Sequence, residues 1–261
     1  MTQKPFEDLT IADDFMFCKV MEYEPICKEF LEMLFAVKIE KITYLSSQNT
    51  VTTNFESKTI RLDVLVKDGS GTSYDIEMQV GNEYNIPKRM RYYQAVLDVA
   101  FLDKGYSYKA LNESYIIFIC LFDPIGSNRA VYTFENICII EDKRLPLQDG
   151  TKKIILNANS FRTADNKELQ GFLQYVKTGK VTTAYTGRIE QMIQTVKRNE
   201  QLRKEYHILP AVLMDAFDEG EARGSRQKAL ETARILKQLG DSVQKIAQAT
   251  GLTQAEVEAI N

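Results

Sequence analysis

A single histidine, His207, serves the 261-residue chain, and its surroundings, Lys204-Glu205-Tyr206-His207-Ile208-Leu209-Pro210, offer no nucleophile. That scarcity excludes a Ser-His-Asp or Cys-His catalytic system and His-ligated metal sites. Acid–base or metal chemistry therefore rests on carboxylates. Cysteine is scarce as well. Cys18, Cys27, Cys120 and Cys138 show no Cys-x-x-Cys spacing, which argues against zinc and against a disulfide framework. Cys120 and Cys138 lie in strand-like apolar runs, where a thiol is expected to serve as a small core residue. No window approaches the roughly 18 apolar residues of a membrane span. The opening Met1-Thr2-Gln3-Lys4-Pro5-Phe6 stretch lacks the apolar run of an export signal, so a cytoplasmic location with no membrane partner is expected. Repeats and low-complexity tracts are absent too. The net charge of -3 argues against coating nucleic acid by bulk attraction but leaves room for a local basic patch.

What is present reads as an ordinary folded chain, 44% hydrophobic and 26% charged. Residues 13–37 have a helical rhythm, with Pro25 opening the second half. Strands are expected at about 40–46, 60–67 and 73–80, then a helix from Pro87 to a stop at Gly105. Residues 114–122 (SYIIFICLF), 131–140 (VYTFENICII) and 151–158 (TKKIILNA) have the aromatic and β-branched content of strands. After Asn166 the pattern is helical. Gly220 and Gly224 fall inside one such run and, at about 1 kcal/mol each against alanine, predict a break or frayed start there. Residues 241–261 read as two short helices about Thr250-Gly251, the second opened by the capping box Thr253-Gln254-Ala255-Glu256.

The segments 60–67 and 73–80 pose the chemical question. Side chains alternate along a strand, so Leu62, Val64 and Val66 share one face with Tyr74, Ile76, Met78 and Val80 after pairing. That pairing requires an odd-length loop, Gly69–Gly71 or Asp68–Thr72. Either choice sets Asp63 opposite Glu77 and Arg61 opposite Gln79. Two carboxylates with β-carbons about 4.5–5.5 Å apart demand a compensating cation. Arg61 is one candidate. A hard divalent ion such as Mg²⁺ is the other. The same alternation also describes a plain antiparallel hairpin with one wet face, and at this level both readings stand. Asp75 points the same way as Glu77, either as a spare ligand or as a solvated acid at a strand end.

Asp63, the glycine-containing turn, Ile76-Glu77-Met78-Gln79 and then Lys88-Arg89-Met90-Arg91-Tyr92-Tyr93 together resemble the recombination-promoting nuclease and transposase family of the PD-(D/E)XK nuclease superfamily. Asp13-Asp14-Phe15-Met16-Phe17 and Ile246-Ala247-Gln248-Ala249-Thr250-Gly251-Leu252-Thr253 resemble that family's two ends, so the likeness spans nearly the whole chain. The resemblance implies an α/β fold: a restriction-endonuclease-like mixed β-sheet core flanked by helices, with an all-helical C-terminal extension. It implies that Asp63 and Glu77 hold Mg²⁺ or Mn²⁺, with the Met78 carbonyl contributing. Gln79 then stands where the superfamily places a lysine. An amide there can hydrogen-bond the attacking water but brings no charge. Lys88, Arg89 or Arg91 is then the source of positive charge toward DNA. Tyr92 and Tyr93 either stack on a nucleotide or pack beneath the sheet. Glu29 and Glu32 are further acids on an early helix, explained as readily by an exposed face.

The expected organisation is a nuclease-like core at 1–164, a helical extension at 165–239 and a small two-helix module at 240–261. That module carries Glu256 and Glu258, which disfavours a DNA-recognition helix. It is expected to pack or to join copies into a homo-oligomer. The function implied is a metal-dependent DNA endonuclease serving recombination or defence against mobile elements and phage. The alternative is a non-cleaving DNA-binding or scaffold protein that retains the fold. A transposase on an RNase-H-like sheet would need another acid late in the core, and none presents itself.

Overall fold

The computed structural model describes residues 3–45, 49–51, 60–102 and 105–259, the side chains of 49–51, 60–61 and 209–225 excepted. Two helices open it, α1 (Asp14–Met21) and α2 (Glu24–Phe35), the second with Pro25 in its first turn and Ala36 ending it in the left-handed region. Short strands β1 (Ile42–Tyr44), β2 (Asn49–Val51) and β3 (Ile60–Leu62) lead into β4 (Val64–Asp68) and β5 (Ser73–Gln79). Helix α3 (Ile86–Phe101) connects β5 to β6 (Ser114–Cys120). Then come β7 (Val131–Phe134), β8 (Ile137–Ile140), β9 (Lys143–Pro146) and β10 (Thr151–Asn157). The remainder is helical: α4 (Lys167–Thr178), α5 (Ala184–Arg198), α6 (Glu200–Gln238), α7 (Val243–Thr250) and α8 (Gln254–Glu258).

Six strands form one mixed sheet in the order β1-β4-β5-β6-β10-β7. β5, β6 and β10 run parallel, and β1, β4 and β7 pair antiparallel to their neighbours. A parallel β5–β6 pair needs a crossover, and α3 is that crossover. The β4–β5 register pairs Val64 with Ile76 and Val66 with Tyr74. A three-residue loop, Gly69–Gly71, is closed by Asp68 N–H donating to the Thr72 carbonyl at 3.0 Å. The expected strand at 60–67 is interrupted, however. It breaks at Asp63, β3 pairs with β2 in a separate ladder, and no ladder sets residue 61 against 79.

Both sheet faces are covered. Against one lies α3, whose Ile86, Met90, Tyr93, Val96 and Leu97 pack on Leu65, Ile116, Phe118, Cys120 and Ile155. The opposite face carries buried Val64, Val66, Tyr74, Ile76, Ile117 and Ile119. There Phe35 of α2 meets Tyr74, ring centroids 5.5 Å apart. Phe172 of α4 stacks between Phe30 and Tyr185 at 5.2 and 5.8 Å, and Tyr185 Oη donates to the Ile26 carbonyl. Helices α4 and α5 therefore pack with α2 in the first of two compact units, Met1–Glu200 and Gln201–Asn261, rather than in an extension beginning at 165.

In the second unit α6 runs unbroken past Gly220 and Gly224, against the expected interruption. Helix propagation adds a hydrogen bond with each residue, so long flanks carry isolated glycines. Ile246, Leu252 and Val257 close over Ala233 to form a small core. The Thr253–Glu256 capping box is present as expected, and Lys237 Nζ donates to the carbonyls of Val257 and Glu258. Cys138, expected inside, is exposed on β8, which with β9 forms a two-stranded ribbon whose residues are all exposed. Among the described residues no helix is long and apolar enough to cross a membrane.

Gly171 lets α4 approach the start of α5, because a β-carbon there would lie 2.3 Å from Thr183 Cγ2. Exposed glycine-to-alanine changes in helices stabilise by about 1 kcal/mol. Gly171→Ala is expected to do the reverse, lowering stability in urea unfolding by about 1–3 kcal/mol.

Candidate active site

Alternation along β5 sends Asp75, Glu77 and Gln79 to the face beneath α3, where the parallel register sets them beside Ile116, Phe118 and Cys120. They are 0%, 2% and 8% exposed. A wet outer face, and a solvated Asp75, are thereby ruled out. A fold that buries adjacent acids must hold them in place, and the bend at Asp63 does part of this. Asp63 N–H donates to Glu77 Oε1 at 2.9 Å, and Met78 N–H donates to Asp63 Oδ2 at 2.9 Å. Each acid thus grips the backbone of the other's strand.

The described cation beside them comes from α3. Arg89 Nη1 donates to Gln79 Oε1 at 2.6 Å, Nη2 donates to Tyr93 Oη at 3.0 Å, and Nη2 lies 3.7 Å from Glu77 Oε2. Its guanidinium packs over the rings of Tyr93 and Phe118 at 5.5 and 5.4 Å. Burial pulls the Arg89 pKa down, but the Tyr93 bond and the Glu77 charge outweigh it and the group stays cationic. Gln79 links the two charges, with its Nε2 3.5 Å from Glu77 Oε2.

One guanidinium does not neutralise this cluster. Burial, then the charges of Asp75 and Asp63, hold the Glu77 carboxyl well above the usual carboxylate range. Burial and Asp63 raise Asp75 likewise. Both Asp75 oxygens are buried without a hydrogen-bond partner among the described residues. Buried, mutually repelling carboxyls of this kind call for a shared proton or a compensating cation.

A further acid reaches Asp63 from α1. The Asp14 carboxylate, Cys18 Sγ and the Asp63 carboxylate lie within 4.8 Å of one another. The spacing of four between Asp14 and Cys18 marks one helix face, but nothing local shows that this face turns toward Asp63. The acids weighed on α2 are engaged elsewhere: Glu29 pairs with Arg188, and Glu32 accepts from Ile39 N–H at 2.9 Å. Of the three basic candidates, Arg89 joins the acids, while Lys88 and Arg91 are exposed on α3. Tyr93 is buried edge-on against Phe118, and Tyr92 is half-buried. The Arg61 side chain lies outside the described residues. A groove of about 660 Å³ opens at the β4–β5 turn, lined by Phe35, Tyr74, Tyr115 and Lys152 among others, and none of Asp63, Asp75 and Glu77 lines it.

A family model described as PD-(D/E)XK nuclease family transposase matches residues 12–236. No curated protein and no solved structure gives a match.

Raised carboxyl pKa values make the folded state hold protons that the unfolded chain releases near pH 4. The stability linked to those protons is complete below about pH 4 and is lost as pH rises toward the raised values of Asp75 and Glu77. In EDTA the melting temperature should therefore fall over that interval. Asp75→Asn should flatten the fall and stabilise the protein near neutral pH by on the order of 1–3 kcal/mol. An unchanged pH profile in Asp75→Asn would contradict the burial of a carboxyl with a raised pKa there.

Proposed function

Because the chain belongs to the PD-(D/E)XK nuclease family transposases, we propose that it is a divalent-metal-dependent endonuclease hydrolysing phosphodiester bonds in DNA. The observation that carries this reading is the reciprocal grip of Asp63 and Glu77 on each other's strands, with the buried carboxyl of Asp75 behind them. Asp63 and Glu77 would hold Mg²⁺ or Mn²⁺ with the Met78 carbonyl beside them, although Asp14 and Cys18 group with Asp63 and not with Glu77. A bound ion of this kind neutralises charge on the phosphate and lowers the pKa of a coordinated water.

The chain's own residues supply the rest. Gln79 occupies a position where a lysine would bring charge, and Arg89 brings that charge from the covering helix instead, bonded to the Gln79 amide at 2.6 Å. A guanidinium fixed by Gln79, Tyr93 and two aromatic rings is preorganised to meet a phosphate oxygen. Lys88 and Arg91, exposed on the same helix, would contact phosphates away from the cut. The biological setting we assign is DNA recombination or defence against mobile elements and phage.

Supercoiled plasmid incubated with the protein and Mg²⁺ or Mn²⁺ should be nicked, and EDTA should stop the reaction. Asp63→Ala and Glu77→Ala should each lower the rate by at least about 10²-fold. Arg89→Lys keeps a charge but loses the planar fork and should cost about tenfold. Nicking that survives both acid substitutions removes this site from the chemistry. Binding without cleavage in either ion favours a non-cleaving DNA-binding protein.

A further inference from the structure

Tyr84 is 90% exposed, yet its backbone sits at φ 56°, in the left-handed region. A bulky L-residue is disfavoured there because its β-carbon crowds the carbonyl oxygen. Burial returns nothing against that cost, so neither packing nor local propensity accounts for an aromatic residue at this position. The conformation is built rather than accidental: Tyr84 N–H donates to Asn82 Oδ1 at 2.9 Å, and Asn85 Nδ2 donates to Glu83 Oε2 at 3.0 Å.

The placement is informative. Tyr84 lies at the apex of the segment running from Gln79 to Arg89, whose two ends are tied by the 2.6 Å bond between those side chains. It is five Cα steps from each end, with four residues between, so its Cα lies within about 17 Å of both. At about 3.4 Å of rise per nucleotide, that reach covers no more than about five nucleotides of a stacked strand. The bases flanking a phosphate held by Arg89 fall inside this span. Lys88, exposed between Tyr84 and Arg91, would hold the intervening backbone.

We infer that Tyr84 is a DNA-contacting residue that stacks on a base beside the scissile phosphate, giving the site affinity for an unstacked nucleotide. Every base offers a π-face, so this contact contributes binding without demanding a sequence. The inference rests on the nuclease reading and adds to it a ligand group, a nucleobase, that the acidic cluster cannot recognise.

The chain contains no tryptophan. Tyr84→Trp therefore installs a lone tryptophan, excited selectively over the tyrosines, whose quenching reports base stacking. Tyr108→Trp is the matched control: Tyr108 is 83% exposed but precedes β6, at the opposite end of the parallel strands from Gln79. Single-stranded oligonucleotide should quench Tyr84→Trp strongly and Tyr108→Trp little. Tyr84→Gly relieves the backbone strain, so it should fold at least as well as the parent while raising KM for plasmid nicking about tenfold, with kcat little changed; Tyr84→Phe should retain the parental KM. If wild-type protein binds and nicks DNA but Tyr84→Trp is silent, or quenched no more than Tyr108→Trp, the stacking role is overturned while the nuclease reading stands. If wild-type protein neither binds nor nicks DNA, both fall.

Discussion

Asp75 and Glu77 are buried between a β-sheet and the helix that covers it, with half-buried Asp63 interacting beside them and the single guanidinium of Arg89 among the described residues next to Glu77. Removing such groups from water is expensive, and their mutual repulsion adds to the cost. Two cross-strand hydrogen bonds from backbone N–H groups offset part of it. The apolar packing of α3 on Leu65, Ile116 and Phe118 holds the arrangement closed. A sheet with one face open to water would let these acids hydrate and move apart. Covering both faces is what turns an alternating strand into a charged site.

Connectivity explains how such a site is assembled economically. The unit β5-α3-β6 carries Glu77 and Gln79 on its strand and Arg89 on its crossover helix, so one supersecondary element brings acid, amide and cation together. Asp63 arrives through the adjacent hairpin, at the point where the chain leaves the β2–β3 ladder for the main sheet. Asp14 comes from α1. The bend at Asp63 frees its N–H from a ladder and makes it available to Glu77. A strand continuous through 63 would have used that group in pairing. Transferring the site's positive charge from the strand to the helix also changes its character, since an arginine fork can hold an amide and a tyrosine hydroxyl while facing a carboxylate.

The family assignment supports nuclease-type chemistry, and the residues that would execute it sit in a region under stress: raised carboxyl pKa values, buried oxygens without donors and, nearby, a tyrosine in a left-handed backbone. Structural interiors normally eliminate such features. The acids lie on the face of β5 beneath α3, while the far side of the sheet is built from Val66, Ile76, Ile117 and stacked aromatic rings.

Period-two alternation by itself located β4 and β5, and the parity of the loop around Ser70 determined the register that pairs Val64 with Ile76, because side-chain direction and turn length are local properties. Local signals also placed Pro25 in a first helical turn and the cap at Thr253, and family resemblance supplied the mixed sheet. Sequence could not say whether the Asp75–Glu77–Gln79 face is wet or dry, since alternation is identical in both cases and only the docking of α3 decides it. It could not say that Arg89, rather than Lys88 or Arg91, lies beside the acids, nor that Asp14, rather than Glu29 or Glu32, lies near Asp63, because which side of a helix meets the sheet depends on how whole elements pack. The continuity of α6 through Gly220 and Gly224 was hidden for a related reason: a propensity penalty is local, whereas the hydrogen bonds of a long helix outweigh it cooperatively.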